Sequence, residues 1–91
     1  MIPDGLLRLL EHDRAHSSDY VRILRVYLDQ DRSIAETIRI LYMHRNTFLY
    51  RIGRIQEILA MDLDNPDNRL LLQIALRLLD HHPAFQDFPP I

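Results

Sequence analysis

Between positions 48 and 59 the apolar residues Phe48, Ile52, Ile55 and Leu59 recur at the spacing of one face of a helix with 3.6 residues per turn. Asn46, Tyr50, Gly53 and Arg54 fall opposite, while Arg45, Thr47, Leu49 and Arg51 lie on the flanks. This pattern predicts an amphipathic helix with one apolar edge and one basic, hydrogen-bonding edge, ending near Ala60. From Arg39 to Arg54 there are four arginines and no acid. A shorter helical segment, 34–41, comes just before, joined only through Tyr42, Met43 and His44. Two helices on so short a joint, the second one basic, have the pattern of a helix-turn-helix that lays its second helix in a DNA groove. The motif is expected over about residues 33–60.

The remaining segments are expected to support that pair. Pro3 suits a first helical turn, and Leu6, Leu7, Leu9 and Leu10 supply an apolar face before Glu11-His12-Asp13. Ser17-Ser18-Asp19 offers an N-cap and an acid for a second helix reaching about Gln30. Its stripe is Val21, Leu24 and Leu28, widened by Tyr20, Ile23 and Tyr27. After the polar break 29–32, Ser33 and Glu36 form a capping box, in which Glu36 reaches back to the serine N–H. Ile34, Ile38 and Leu41 should then face inward. Asn65-Pro66 starts a last helix, with Asn as cap and Pro at the first position. That helix has two apolar stripes, one of 71, 72, 75, 76 and 79 and a second of Leu70, Ile74 and Leu78. The second stripe is expected either to make a two-fold homodimer through the terminal helices or to be covered by the first helix. The fold class is all-α: about five helices over 1–82, with an irregular tail over 83–91 that holds three prolines.

Composition narrows the function. Apolar residues make up 47% of the 91-residue chain, enough for one core and too many for a disordered chain. With no cysteine there is neither a disulfide frame nor thiolate chemistry, as suits a reducing cytoplasm. No apolar run approaches the roughly 20 residues of a membrane span. The net charge of −2 disfavours a general polyanion binder, yet the run 39–54 carries +4 and the rest −6. That polarity is what a small DNA-reading surface on an acidic body would show. Candidate metal sites fail. Asp62 to Asp67 begins like a calcium loop but has Pro66 at a ligand position and Asp67 where the turn glycine belongs. His81 and His82 are adjacent and point apart on a helix, and His12 and His16 at i, i+4 read as a solvated face. No cofactor loop and no nucleophile–base pair stands at an interpretable spacing, so the chain is not expected to be an enzyme.

The run Leu7 to Leu79 resembles the C-terminal DNA-binding domain of the PucR/CdaR family of bacterial transcriptional regulators. The residues that carry the resemblance are Ser33-Ile34-Ala35-Glu36-Thr37, His44-Arg45-Asn46-Thr47, Tyr50-Arg51, Arg54-Ile55 and Leu63-Asp64-Asn65-Pro66, with Leu72, Ala75 and Leu76. A Fis-like helix-turn-helix is similar more distantly. The resemblance implies an all-helical domain that binds operator DNA in the cytoplasm, on the nucleoid. It also implies a longer regulator with an upstream sensory domain, of which this chain would be one part. Two positions depart from the family: Ile38 stands where alanine is usual, and Leu49 where a polar or basic side chain is common.

The chemistry expected of the site is simple. Arg45 can fork onto guanine O6 and N7, and Asn46 can pair with adenine. Ser33, Thr47 and Tyr50 carry hydroxyls suited to phosphate oxygens, Arg51 and Arg54 supply charge, and Leu49 can meet a thymine methyl. His44 is placed to cap the recognition helix. Two residues have a second reading: Arg51 as the partner of an acid of the body, and Tyr50 as half-buried packing. The alternative function is a helical oligomerisation or protein-docking module that keeps the fold without binding DNA.

Overall fold

The computed structural model describes residues 2–81. These form five helices: α1 (Asp4–His16), α2 (Tyr20–Asp29), α3 (Ile34–Leu41), α4 (Arg45–Leu59) and α5 (Pro66–His81). Among the described residues there is no strand, as the all-α expectation requires. The expected tail over 83–91 lies outside them.

α1 runs further than its apolar residues suggest, because nothing between Glu11 and His16 breaks a helix. It stops at Ser17, whose left-handed backbone (φ 52°) turns the Ser18 N–H onto the Asp13 carbonyl. The added turn carries Asp13, and Asp13 replaces the cap expected from Ser17-Ser18-Asp19. Asp19 occupies the N-cap position of α2 but makes no side-chain cap bond. Instead the two Asp13 carboxylate oxygens accept the Tyr20 and Val21 N–H groups, each at 2.9 Å. The Ser18 hydroxyl also donates to Asp13, at 2.5 Å. An acid borrowed from the preceding helix thus satisfies two orphan donors at a positive helix end.

α4 is the hub. Its buried edge, Phe48, Ile52, Ile55 and Leu59, packs on α1, α2 and α3. Leu6, Leu9 and Leu10 of α1 and Val21, Ile23, Leu24 and Leu28 of α2 complete the centre. α5 adds Leu72, Ala75, Leu76 and Leu79 and packs on α2. The Arg25 guanidinium locks that second contact with a two-pronged bond to Asp80, at 2.9 and 2.7 Å. Arg25 is nearly buried, where bidentate charged bonds are strongest. Asn65 caps α5 as expected, its Oδ1 accepting from the N–H groups of Asp67 (2.8 Å) and Asn68 (3.3 Å).

α1 crosses the C-terminal end of α4 at backbone contact. A Cβ added at Gly5 would stand 2.0 Å from the Leu59 carbonyl oxygen. One turn later, Arg8 donates from Nε to the Ile58 carbonyl (3.0 Å) and from its terminal nitrogen to that of Leu59 (3.3 Å). A cation there satisfies orphan carbonyls at the negative end of the helix.

This placement of α1 decides one alternative. α1 packs on α4 and α2 and does not cover the second stripe of α5. Leu70, Ile74 and Leu78 remain 57%, 44% and 46% exposed.

Gly5→Ala is expected to destabilise the domain by about 3 kcal/mol, the upper end for overpacking, because a backbone atom cannot yield as a side chain can. A urea titration of the variant should give a midpoint far below that of the parent. An unchanged midpoint would show that the crossing tolerates a methyl group.

Candidate nucleic-acid interface

α3 and α4 form the helix-turn-helix, joined by Tyr42, Met43 and His44. Ser33 caps α3, its Oγ accepting from the Glu36 N–H at 3.2 Å. The reciprocal arm of the expected capping box is not made. The Ser33 N–H already donates to the Gln30 carbonyl at 3.0 Å, so it has no need of Glu36. The Glu36 carboxylate turns forward instead and accepts from Arg39 at 2.9 and 3.3 Å. This bond, and then the arginine's charge, hold the Glu36 carboxyl below its ordinary pKa. Its negative charge therefore persists into mild acid beside the basic face. Inside α3 the fully buried residue is Thr37, which apolar periodicity missed; Ile34 and Ile38 are half-buried. Its hydroxyl donates to the Ser33 carbonyl at 2.7 Å, which makes a polar side chain acceptable in the core.

The turn is made by Tyr42 in the left-handed conformation (φ 52°), with the Met43 N–H returning to the Ile38 carbonyl at 3.0 Å. His44 occupies the N-cap position of α4, but its side chain makes no cap bond, contrary to expectation. An imidazole lacks the short-tethered oxygen that an N-cap uses. The first turn of α4 therefore presents N–H groups with no side-chain partner at a positive helix end.

Arg45, Asn46 and Thr47 of that turn are all exposed, as are Leu49 (41%) and Tyr50 (68%). Tyr50 is thus not half-buried packing. Ser33, Arg51 and Arg54 are half-buried. Of the sequence-identified residues of α4, Asn46, Tyr50 and Arg54 lie opposite its buried edge and Arg45, Thr47, Leu49 and Arg51 on its flanks, with Ser33 at the start of the neighbouring helix.

The charges are less simple than the sequence suggested. The run 39–54 contains no acid, but acids one turn beyond either end pair with it and a third comes from another element. Arg51 stands 4.0 Å from Asp19, the second reading open for it, and Arg54 stands 3.4 Å from Glu57. Arg39 is held by Glu36. Among the described residues, Arg45 is the one arginine of the four with no acid within 4.0 Å. Exposed pairs of this kind are weak, so a phosphate can displace the acid.

Other candidate sites place little near this face. The His12 ring stacks on Tyr20 at 4.6 Å and lies 4.5 Å from His16. Among the described residues, no three His, Cys, Asp or Glu side chains are grouped to hold a metal. Asp62 binds the Asp64 N–H at 2.9 Å, so the acidic stretch is the loop and helix start expected of it.

Residues 20–78 match the family model described as the PucR C-terminal helix-turn-helix domain. The chain is 35% identical over 75 residues to the purine catabolism regulatory protein of Bacillus subtilis (strain 168), a match covering 82% of this chain and 14% of that protein. It is 34% identical over 78 residues to the DNA-binding transcriptional activator AdeR of the same organism, covering 84% and 18%. The carbohydrate diacid regulator of Escherichia coli (strain K12) is 52% identical over 42 residues, covering 46% and 11%. The chain thus spans less than a fifth of the length of these curated relatives. No solved structure gives a significant match.

Gly53 lies on the exposed side of α4, and a Cβ there would meet nothing within 4 Å. Gly53→Ala is therefore expected to stabilise the free domain by about 0.5–1 kcal/mol, the helix preference of alanine over glycine. Thermal melts check this, and a lower melting temperature would contradict the open space around the position.

Proposed function

The chain belongs to the family of PucR C-terminal helix-turn-helix domains, and on that premise we propose that it reads operator DNA with α4 in the major groove. The observation that carries this reading is the first turn of α4. Arg45, Asn46 and Thr47 stand exposed there beside uncapped N–H groups, and Arg45 has no acid within 4.0 Å among the described residues. Such a turn offers bidentate donors to base edges and backbone donors to phosphate at the end of the helix that enters the groove.

In this reading Arg45 takes a guanine and Asn46 an adenine. Thr47, Tyr50 and Ser33 hold phosphates through their hydroxyls. Ser33 can do so without giving up its cap, because its Oγ accepts from Glu36 N–H and its own proton remains to donate. Arg51 and Arg54 exchange their acids for phosphates. Leu49 meets a thymine methyl, and His44, free of capping, stands at the groove edge.

The much greater length of the relatives supports a role as the DNA-binding part of a longer regulator, for which we propose a sensory domain and a place on the nucleoid in the cytoplasm. Among the described residues no helix is long and apolar enough to cross a membrane. We further propose a two-fold homodimer through Leu70, Ile74 and Leu78 on α5. Its motive is their exposure on a helix whose other side is already buried. Two α4 helices about 34 Å apart would then read half-sites about 10 base pairs apart.

The affinity should fall with salt along a log–log slope of about −2 to −3 per subunit, short of the roughly −3.6 that four free arginines would give. Titration of labelled duplexes at several salt concentrations measures it. A slope near zero would favour the protein-docking alternative.

Arg45→Ala and Asn46→Ala should each cost about 1–3 kcal/mol on a selected sequence and much less on random DNA. Arg54→Ala should weaken both alike and make the slope shallower by about one unit. Equal losses for all three variants on both DNAs would refute the division of labour.

Sedimentation at high micromolar concentration should give a dimer that Leu78→Glu dissociates. A monomer whose mass and DNA affinity ignore that substitution removes the dimer.

A further inference from the structure

We propose that Tyr42, in the turn between α3 and α4, is a further DNA contact that grips the sugar–phosphate backbone beside the bases read by α4, a role that rests on the DNA-binding reading above. Tyr42 ends α3 in the left-handed region, with φ 52° and ψ 47°. Glycine is the usual occupant of such a position, because a Cβ there is strained. Packing does not explain a tyrosine in this place, since its side chain is 96% exposed. The same left-handed turn closes α1 at Ser17 and α4 at Ala60, so what sets Tyr42 apart is an aromatic ring left in solvent, from which the fold draws nothing.

The surroundings indicate what the ring meets. Tyr42 borders an open depression lined by Ile38, Arg39, Met43, His44 and Arg45. Ile38 and Met43 are half-buried and give it an apolar floor. Arg39 and Arg45 stand on its rim with the imidazole of His44 and the phenol. Glu36 shares the charge of Arg39, whereas Arg45 has no acid within 4.0 Å among the described residues. An apolar floor under cationic and hydroxyl donors matches a deoxyribose joined to its phosphates, whose sugar is apolar and whose oxygens are anionic. Tyr42 is three residues before Arg45 and at most about 11 Å of chain from it. A nucleotide on the depression would therefore adjoin the base that Arg45 reads. A contact of this kind carries no sequence information of its own and sets the register of the helix on the duplex.

The test uses Tyr42→Gly and Tyr42→Phe, with binding to a duplex selected from a random pool and to an unselected duplex, alongside thermal melts. Tyr42→Gly removes the ring and suits the left-handed backbone, so it should melt at or above the parent temperature. It should bind both duplexes roughly tenfold more weakly, the worth of one hydrogen bond to a charged oxygen, with the ratio between them unchanged. Tyr42→Phe, which keeps the ring and loses the hydroxyl, should be weakened to a similar degree on both duplexes. If the parent binds DNA and Tyr42→Gly binds equally well, the proposal is overturned and the depression faces something other than DNA. A loss confined to the selected duplex would also overturn it, by making Tyr42 a reader of bases. If the parent binds neither duplex, the DNA-binding reading of α4 falls, and this proposal with it.

Discussion

α4 can offer one side to a partner because its other side is withdrawn from water along its whole length. Phe48 and Ile55 are fully buried, and Ile52 and Leu59 nearly so. Truncation of a single residue such as Phe48 to alanine would cost about 3–5 kcal/mol, comparable with the entire stability of many small domains. α1, α2 and α3 all pack on this one edge, so the body and the exposed face are two sides of the same helix. α5 stands outside that arrangement. It reaches the core through α2, with Arg25 and Asp80 as its clasp.

Most of the fold could be read from local sequence because its signals are local. The period of α4, the Ser33 cap and the Asn65-Pro66 helix start each lie within one or two turns of what they organise. The features that escaped are those in which distant residues meet. Asp13 caps a helix it does not belong to, while the expected serines serve other ends. Gly5 offers no pattern to find: a lone glycine in a helix looks the same whether it is crowded or, like Gly53, free. Thr37 hides in an apolar stripe as a polar residue that satisfies itself.

The exposure of the candidate residues was readable in the sequence, their electrostatics less so. Arg45, Asn46, Thr47, Leu49 and Tyr50 are exposed as the helical period demands. The period says nothing of what approaches from other elements, and so it missed Asp19 beside Arg51. Pairing has a physical consequence for specificity. An arginine that must leave a carboxylate gains less from any phosphate it meets, which lowers affinity for DNA in general. Among the described residues Arg45 leaves no such partner, so the charge with least competition sits in the turn that would contact bases in the proposed reading.

The crossing at Gly5 has a consequence at the opposite end of α4. The helix has 15 residues, which makes it a stiff rod about 22 Å long. One end is seated backbone to backbone on α1, with no side chain between to take up slack. On such a lever, a tilt of about three degrees at the seat would swing the far tip by about 1 Å. Hydrogen bonds to base edges tolerate only a few tenths of that. In the proposed reading, the aim of Arg45 and Asn46 would thus be set at the far end of their helix, by a residue that has no side chain.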